Sequence, residues 1–466
     1  MVLNKTTVHI KHLQEQVSGQ VLTADDGEYD PIRRGWNRTI DHHPAVILVA
    51  RNAEDVAAGV RFAAETGLGV AVQSTGHGIQ HPADDALLIV TTRMNAVTVN
   101  AAARTARIEA GAVWQQVVEQ TTPHGLAPLL GSSPHVGVVG YTLGGGIGWL
   151  ARQYGLAVDS VRAIDVVTAD GLLCHTSAEE HRDLFWGLRG GKSTLGIVTA
   201  LEINLVPVAQ FYGGSLVYSG DSADAALRFF REWTQRAPDA LTSSIAILKF
   251  PNLPVLPEPM RGKKQVIVRA VYLGEAAEGE ALIRQWVDWH APEANTFKVM
   301  PFTDIGLVSN DPVEPSHTYY ANELLNDLPD AVLDAMTHYT LDAASPLMVS
   351  ELRHAGGAIA RVPADANAVG NRDAQYYLTF AGPAFTAEML ETLQAQMKRY
   401  KDALRPLVSG GVYMNFVSGP ETAGSTENAF LPQSYQRLVS LKTQYDPDNV
   451  FRFGFYRRAH QHKLAS

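Results

Sequence analysis

The chain has 466 residues, 46% hydrophobic and 18% charged, which supplies a large buried core and excludes a disordered chain. Thirty-eight Lys and Arg against 48 Asp and Glu give a formal charge of −10, and no basic run interleaves with aromatics, so no nucleic-acid partner is expected. The single cysteine, Cys174, excludes an intramolecular disulfide and a thiolate-rich metal or iron–sulfur site.

Residues 1–10 lack the basic end, apolar run and small-residue cleavage site of a signal peptide, and no apolar stretch reaches about 18 residues. A cytoplasmic protein with no membrane partner is expected. Residues 45–50 are a short apolar, β-branched run that reads as a buried strand. Asn52 follows as the cap of a helix over 53–66, with Glu54 and Asp55 in its first turn and Gly67 at its end. Residues 69–73 are a second strand running into Ser74-Thr75-Gly76-His77-Gly78. Strands are predicted at 86–90, 106–110, 161–168, 171–176 and 197–205, and a short helix at 113–121. Pro207 marks a boundary. Beyond it, strands at 214–218, 244–250 and 265–272 alternate with helices at 223–236, 278–290, 330–341 and 387–404. The alternation lacks the tight βαβ rhythm of a doubly wound sheet, which points to an α+β fold. Residues 253–259 form a proline-rich surface loop.

The glycines crowd into residues 76–78, 131–155 and 187–196. Glycine lets backbone approach a ligand closely, so three clusters in one half of the chain suggest a single large polar ligand. Gly187-Leu-Arg-Gly-Gly-Lys-Ser-Thr194 tempts a nucleotide-triphosphate loop, but it is one residue short and leads into a strand. Gly146-Ile-Gly148-Trp-Leu-Ala151, with Asp165 downstream, loosely matches a dinucleotide fingerprint, yet the residues before it carry too many glycines for the required strand. The third reading is a flavin adenine dinucleotide (FAD) held by two loops. The amides of Ser74 to Gly78 would form a nest for the pyrophosphate, and residues 131–148 would cover the other side. Asp41-His42-His43 looks metal-like, but adjacent histidines point opposite ways on a strand and no His-Glu-x-x-His helix exists, so no metal is expected.

Ser74-Thr75-Gly76-His77, then Gly131-Ser-Ser-Pro-His-Val-Gly-Val-Val-Gly140, then Gly144-Gly-Gly-Ile-Gly148 resemble, in order, the flavin-linked oxidases related to berberine bridge enzyme. These belong to the vanillyl-alcohol oxidase, or PCMH-type, flavoprotein superfamily. Gly190-Gly-Lys-Ser-Thr-Leu-Gly196-Ile-Val-Thr199 is similar to the family's next cofactor loop. Tyr413-Met-Asn-Phe416 is similar to its Tyr-x-Asn strand motif, and Tyr445-Asp-Pro-Asp-Asn-Val-Phe451 to its C-terminal signature. The resemblance implies a bipartite FAD domain from residues 1–207 and 431–466. It also implies a substrate domain over 208–430, whose large antiparallel sheet, covered by helices, overlies the isoalloxazine.

It further implies FAD bonded covalently through the His77 imidazole to the flavin 8α-methyl; a neutral ring nitrogen is nucleophilic near pH 7. Cofactor contacts are expected from Ser74, Thr75, Gly76, His77 and Gly78, and from Gly131, Ser132, Ser133, Val136, Gly137 and Gly140. Gly144, Gly145, Gly148, Gly196, Ile197 and Val198 complete the cradle, and Asn449 would bond the isoalloxazine edge. Many relatives make a second flavin bond from a cysteine where Ser133 stands, and a hydroxyl is far less nucleophilic, so one bond is expected. Cys174 is expected to be buried structure. Leu195 also departs from the pattern, which commonly has an aromatic there.

Tyr413 is the candidate catalytic base or hydrogen-bond donor, with Asn415 orienting its ring or the substrate. His135 faces substrate or caps a turn, Trp36 packs toward the adenine, and one of Tyr319 and Tyr320 can line a substrate pocket. Asn37-Arg-Thr39 matches a glycosylation sequence, which means little without a secretion signal. The expected activity is that of an FAD-linked oxidase or dehydrogenase. It would oxidise a small alcohol, sugar, amine or biosynthetic intermediate by hydride transfer to flavin N5, with oxygen or another acceptor taking the electrons. The alternatives are a flavin binder without turnover and an NAD-dependent Rossmann enzyme.

Overall fold

The computed structural model describes residues 10–252, 258–417 and 426–454. The expectations for residues 1–9 and for residues 253–257 of the proline-rich loop lie outside them. Among the described residues the strands form three sheets, in the α+β class expected. The first is ordered β1-β2-β4-β3, from β1 (Gln20–Leu22), β2 (Val46–Val49), β3 (Val70–Gln73) and β4 (Leu87–Val90). β2, β4 and β3 run parallel, and β2 and β4 are buried along their whole length, which is why they read as unbroken apolar runs. The helix Ala53–Thr66 covers this sheet. Asn52 accepts the Asp55 N–H at 2.8 Å, and Gly67 closes the other end at φ +74°. β3 is thereby held so that its end delivers residues 74–78.

The second sheet is antiparallel, ordered β5-β6-β9-β7-β8, from β5 (Val97–Asn100), β6 (Thr105–Glu109), β7 (Val161–Val167), β8 (Leu173–Ser177) and β9 (Ile197–Asn204). The triphosphate-loop reading fails here. Its glycines end the helix Arg182–Gly191, and the chain then enters β9 instead of opening a helix at an anion. The dinucleotide reading fails too, because Gly146 follows the helix Val138–Thr142, not a strand.

The third sheet holds β10 (Gln210–Ser219), β11 (Leu241–Lys249), β12 (Lys264–Tyr272), β13 (Ala294–Asn295), β14 (Lys298–Pro301), β15 (Thr318–Leu325), β16 (Val349–His354) and β17 (Tyr376–Pro383). Its order is β13-β10-β12-β11-β16-β17-β15, with β14 beside β10, and every pairing is antiparallel. Alternation gives it two unlike faces. Ile245, Val268, Leu352 and Leu378 are fully buried under the helices Ala223–Thr234, Ala276–Trp289, Asp330–Leu341 and Ala387–Leu404. On the other face Arg269, Ser244 and Arg353 stand in one cross-strand row, and Glu351, Thr379 and Asn322 in the next.

Buried charges join the sheets. Arg372 makes a two-pronged pair with Asp159 at 3.0 and 2.7 Å, both side chains nearly buried. The helix Pro432–Tyr445 packs on Arg182–Gly191, and its Lys442 donates to Asp446 and to the carbonyls of Thr194 at 3.1 Å and Phe451 at 3.0 Å. Among the described residues no helix is long and apolar enough to cross a membrane.

Candidate active site

A cavity of about 510 Å³ opens where the three sheets meet, within the usual range for small-molecule and cofactor sites. One wall is β3 and the loop after it, a second is the segment over residues 131–143, and Phe451, Phe453 and Gly454 also line the cavity. The third sheet supplies the facing wall through Thr318, Tyr320, Arg353, Thr379 and Ala381. Apart from Ala381, these are polar side chains on one face of its alternating strands.

His77 lies in the first wall. Its ring stacks on Trp36 with centroids 4.4 Å apart and planes 13° from parallel, and its Nδ1 is 2.8 Å from Thr75 Oγ1. The Gly137 N–H donates to that same oxygen at 3.3 Å, tying the two cofactor loops together. Burial, with His135 nearby, lowers the His77 pKa to about 4, so the ring is neutral at pH 7 and keeps a nucleophilic lone pair. Gly76 is required behind it: φ is +75°, and a Cβ would stand 2.3 Å from Gly35 Cα.

Ser74, Thr75, Gly76, His77, Gly78, Gly131, Ser132, Ser133, Val136, Gly137, Gly140, Ile197 and Val198 all line this cavity, as does Asn415. Gly144, Gly145, Gly148 and Gly196 do not. They are glycines because other parts of the protein press on them: a Cβ would lie 2.1 Å from Asn415 Oδ1 at Gly144, and 1.7 Å from the Leu130 carbonyl at Gly148. At Gly145 it would meet Tyr413 at 3.0 Å, and at Gly196 the Val167 carbonyl at 2.8 Å. Asn449 is not on the wall either. It turns the chain at φ +56°, and its N–H donates to the Asp446 carbonyl.

Tyr413 also departs from expectation. Its motif is not a strand; Met414–Phe416 form a turn of 3-10 helix. That turn sends Asn415 and Phe416 to the cavity and leaves Tyr413 3% exposed beside Tyr377 and Phe416. Burial raises its phenol well above the usual 10, opposite to what a ready base needs. Asn415 donates its amide to the Tyr141 carbonyl at 2.8 Å.

Trp36 stacks on His77 and lines the same cavity. Of the tyrosine pair, Tyr320 lines the cavity and Tyr319 is in the core. His42 is buried and His43 exposed, the opposed pointing expected, and no cluster of three metal-ligating side chains occurs among the described residues. Asn37 is 2% exposed, with Thr39 donating to its amide oxygen, so it is closed to a glycan. Cys174 is half-buried on the edge strand β8, more open than expected.

Tyr141, Lys192 and Arg353 also line the cavity, and sequence reasoning misses all three. The Arg353 guanidinium lies 5.1 Å over the Phe416 ring and is bonded to Glu351 at 2.9 Å, which Arg269 also reaches at 3.4 Å. Tyr141 is wedged between Gly131 and Gly146, and its burial holds the phenol protonated. Gln73 Oε1, Ser74 Oγ, Ser133 Oγ, Tyr141 Oη and Thr379 Oγ1 are buried on this wall without a protein partner. Each such atom costs about 1–3 kcal/mol unless a ligand meets it. A polar cofactor with hydroxyl, amide and phosphate groups suits that set, and FAD is one.

The FAD binding domain family matches residues 44–177, and the berberine and berberine-like family matches 412–454. The chain is 27% identical over 462 residues to (R)-6-hydroxynicotine oxidase of Paenarthrobacter nicotinovorans, covering 94% of this chain and 96% of that one. Over most of its length the chain is thus similar to berberine bridge enzyme-like FAD-linked oxidoreductases. This oxidoreductase is also 26% identical to glucooligosaccharide oxidase of Sarocladium strictum over 94% of its own length and 93% of the relative's. In fold it is similar to the Acremonium strictum glucooligosaccharide oxidase described with a 6-S-cysteinyl, 8α-N1-histidyl FAD, at TM-score 0.81 and 22% identity, over 95% of this chain and 97% of that one. These likenesses show that the chain shares the α+β fold of those solved oxidases.

Proposed function

We propose that this oxidoreductase carries FAD bonded to His77 and oxidises a small polar substrate held against the third-sheet wall. The observation that carries the reading is a neutral imidazole on one side of a cavity whose other side is built from hydrogen-bonding side chains. The bound flavin supplies the two-electron acceptor. Everything else falls to the chain. Thr75 and Trp36 fix the plane of the His77 ring, which limits the geometry of attachment to one orientation. The neighbour is described with a cysteinyl bond as well as a histidyl one, but the cavity lining here includes the Ser133 hydroxyl and no cysteine, which supports a single linkage.

Tyr320, Thr379 and Arg353 face the substrate, and the Glu351 pair holds the Arg353 guanidinium in one orientation. Tyr141 takes the role that the motif suggests for Tyr413: a protonated phenol on the wall that donates to a polar atom of the ligand, its segment held by Asn415. The division at Pro207 goes with this reading, since the chain leaves the second sheet at Asn204 and enters the third at Gln210. A carrier without turnover has no use for the polar third-sheet wall. The test is to denature the purified protein in acid. The yellow colour should stay with the chain, vanish from it in His77→Ala, and bleach anaerobically in the native protein with the right alcohol, sugar or amine. Colour that washes out of the wild type refutes attachment, and no bleaching across such a panel refutes turnover.

A further inference from the structure

Lys192 has a backbone that its residue type does not favour. At φ +54° and ψ −148° it stands close to a region that is essentially reserved for glycine, where another residue costs about 1–3 kcal/mol. Both residues before it are glycine, so the fold offers the small residue at this loop, and the chain nonetheless places a long cation there. Strain of this kind is kept where a side chain has a task that its surroundings over-determine.

The side chain goes into the cavity. Its Cε and the Asn415 Oδ1 crowd the same point above Gly144, 2.5 and 2.1 Å from where a Cβ would stand. Asn415 is followed by Phe416, which lies under the Arg353 guanidinium of the third-sheet wall. Lys192 therefore sits at the end of the cavity where cofactor loops meet substrate wall. The redox ring has to be at that end, because its reacting face must touch the substrate. Arg353, the other long cation on the wall, is bonded to Glu351 and faces Asp311. Burial holds the Lys192 ammonium down to about 7, so its charge is stabilised when a negative charge comes close.

We propose that Lys192 raises the reduction potential of the bound flavin, by compensating the negative charge the ring acquires when it is reduced. The inference rests on the function proposed above. A hydride, two electrons and one proton, passes from the substrate carbon to the ring, the proton of the adjacent O–H or N–H leaves to solvent, and the reduced ring keeps one negative charge. A cation beside that charge favours the reduced form.

The test uses the flavin-loaded protein with Lys192→Gly, Lys192→Met and Lys192→Arg, each titrated against reference dyes for its midpoint potential. Removing the cation should shift the reduction equilibrium at least tenfold toward the oxidised form, about 30 mV for a two-electron couple, while the arginine variant stays near wild type. Lys192→Gly should in addition melt at a higher temperature when flavin-free, since glycine relieves the strained backbone. A higher melting temperature with an unchanged potential overturns the proposal. Weaker flavin retention at unchanged potential also overturns it, by assigning the ammonium to the pyrophosphate. A protein that binds no flavin defeats the underlying reading, whereas flavin that is held and bleached at an unaltered potential defeats this inference alone.

Discussion

The His77 ring makes a prediction that can be worked through from its surroundings. A solvent-exposed histidine with a pKa near 6.5 is about 3% neutral at pH 5, whereas a ring titrating near 4 is about 90% neutral, a roughly 30-fold larger nucleophilic population. Covalent attachment needs the neutral ring, so its pH dependence reports the buried pKa. Flavin-free protein incubated with FAD at a series of pH values, then denatured and run on a gel, should show chain-bound flavin fluorescence. Incorporation at pH 5 is expected within about twofold of that at pH 7, with half the rate lost near pH 4. His77→Ala should incorporate nothing. A half-point near 6.5 would mean that the ring is solvated and not enclosed between Trp36 and Thr75, and the argument from burial would fail.

Two other outcomes follow from the same geometry. Tyr413→Phe should change kcat/KM by less than about threefold, while Tyr141→Phe lowers it roughly tenfold, because only the second hydroxyl stands on the cavity wall; the reverse order would restore Tyr413 as the catalytic phenol. His354 accepts a hydrogen bond from Arg152 at 2.9 Å, and burial lowers its pKa to about 3. Its folded pKa lies below its unfolded one, so its stability contribution is complete above pH 6.5 and is lost as pH falls toward 3, at about 1.4 kcal/mol per unit. Denaturant midpoints of flavin-free protein should therefore drop between pH 7 and 5, and His354→Gln, which keeps an acceptor for Arg152, should reduce the drop; an unchanged slope would exclude His354 as its source.

Much of the cofactor side of the cavity is legible in the amino-acid sequence. Residues 74–78 and 131–140 are continuous in the chain, and a strand running into glycines announces a loop whose backbone must approach something. His77 can be singled out there because it stands in that loop, two residues from its hydrogen-bond partner Thr75, although Trp36, which stacks on its ring, comes from elsewhere in the chain. The glycines at 144, 145, 148 and 196 are constrained, as their clustering suggests, but by the protein and not by a ligand. Whether a missing Cβ makes room for a ligand or for Leu130, Tyr413 and Asn415 is invisible along the chain, since those partners arrive from elsewhere.

The substrate wall is not legible in this way. β15 and β16 escape a reading by pattern because Glu323, Glu351 and Arg353 interrupt their apolar runs, and only the register of the third sheet shows that Glu351 and Arg353 share the cavity face while Glu323, opposite Leu378, lies on the helix-covered one. Tyr413 and Asn415 mislead for a related reason. Two residues apart on a strand they would face the same way, but the 3-10 turn at Met414–Phe416 breaks that period, so Asn415 lines the cavity while the Tyr413 ring is buried among Tyr377 and Phe416. Local backbone chemistry thus marked, from sequence alone, the two glycine loops and the imidazole that line one side of the cavity. The tertiary structure alone decided what stands opposite, because sheet pairing and the burial of Tyr141, Lys192 and Arg353 depend on segments that lie far apart along the chain.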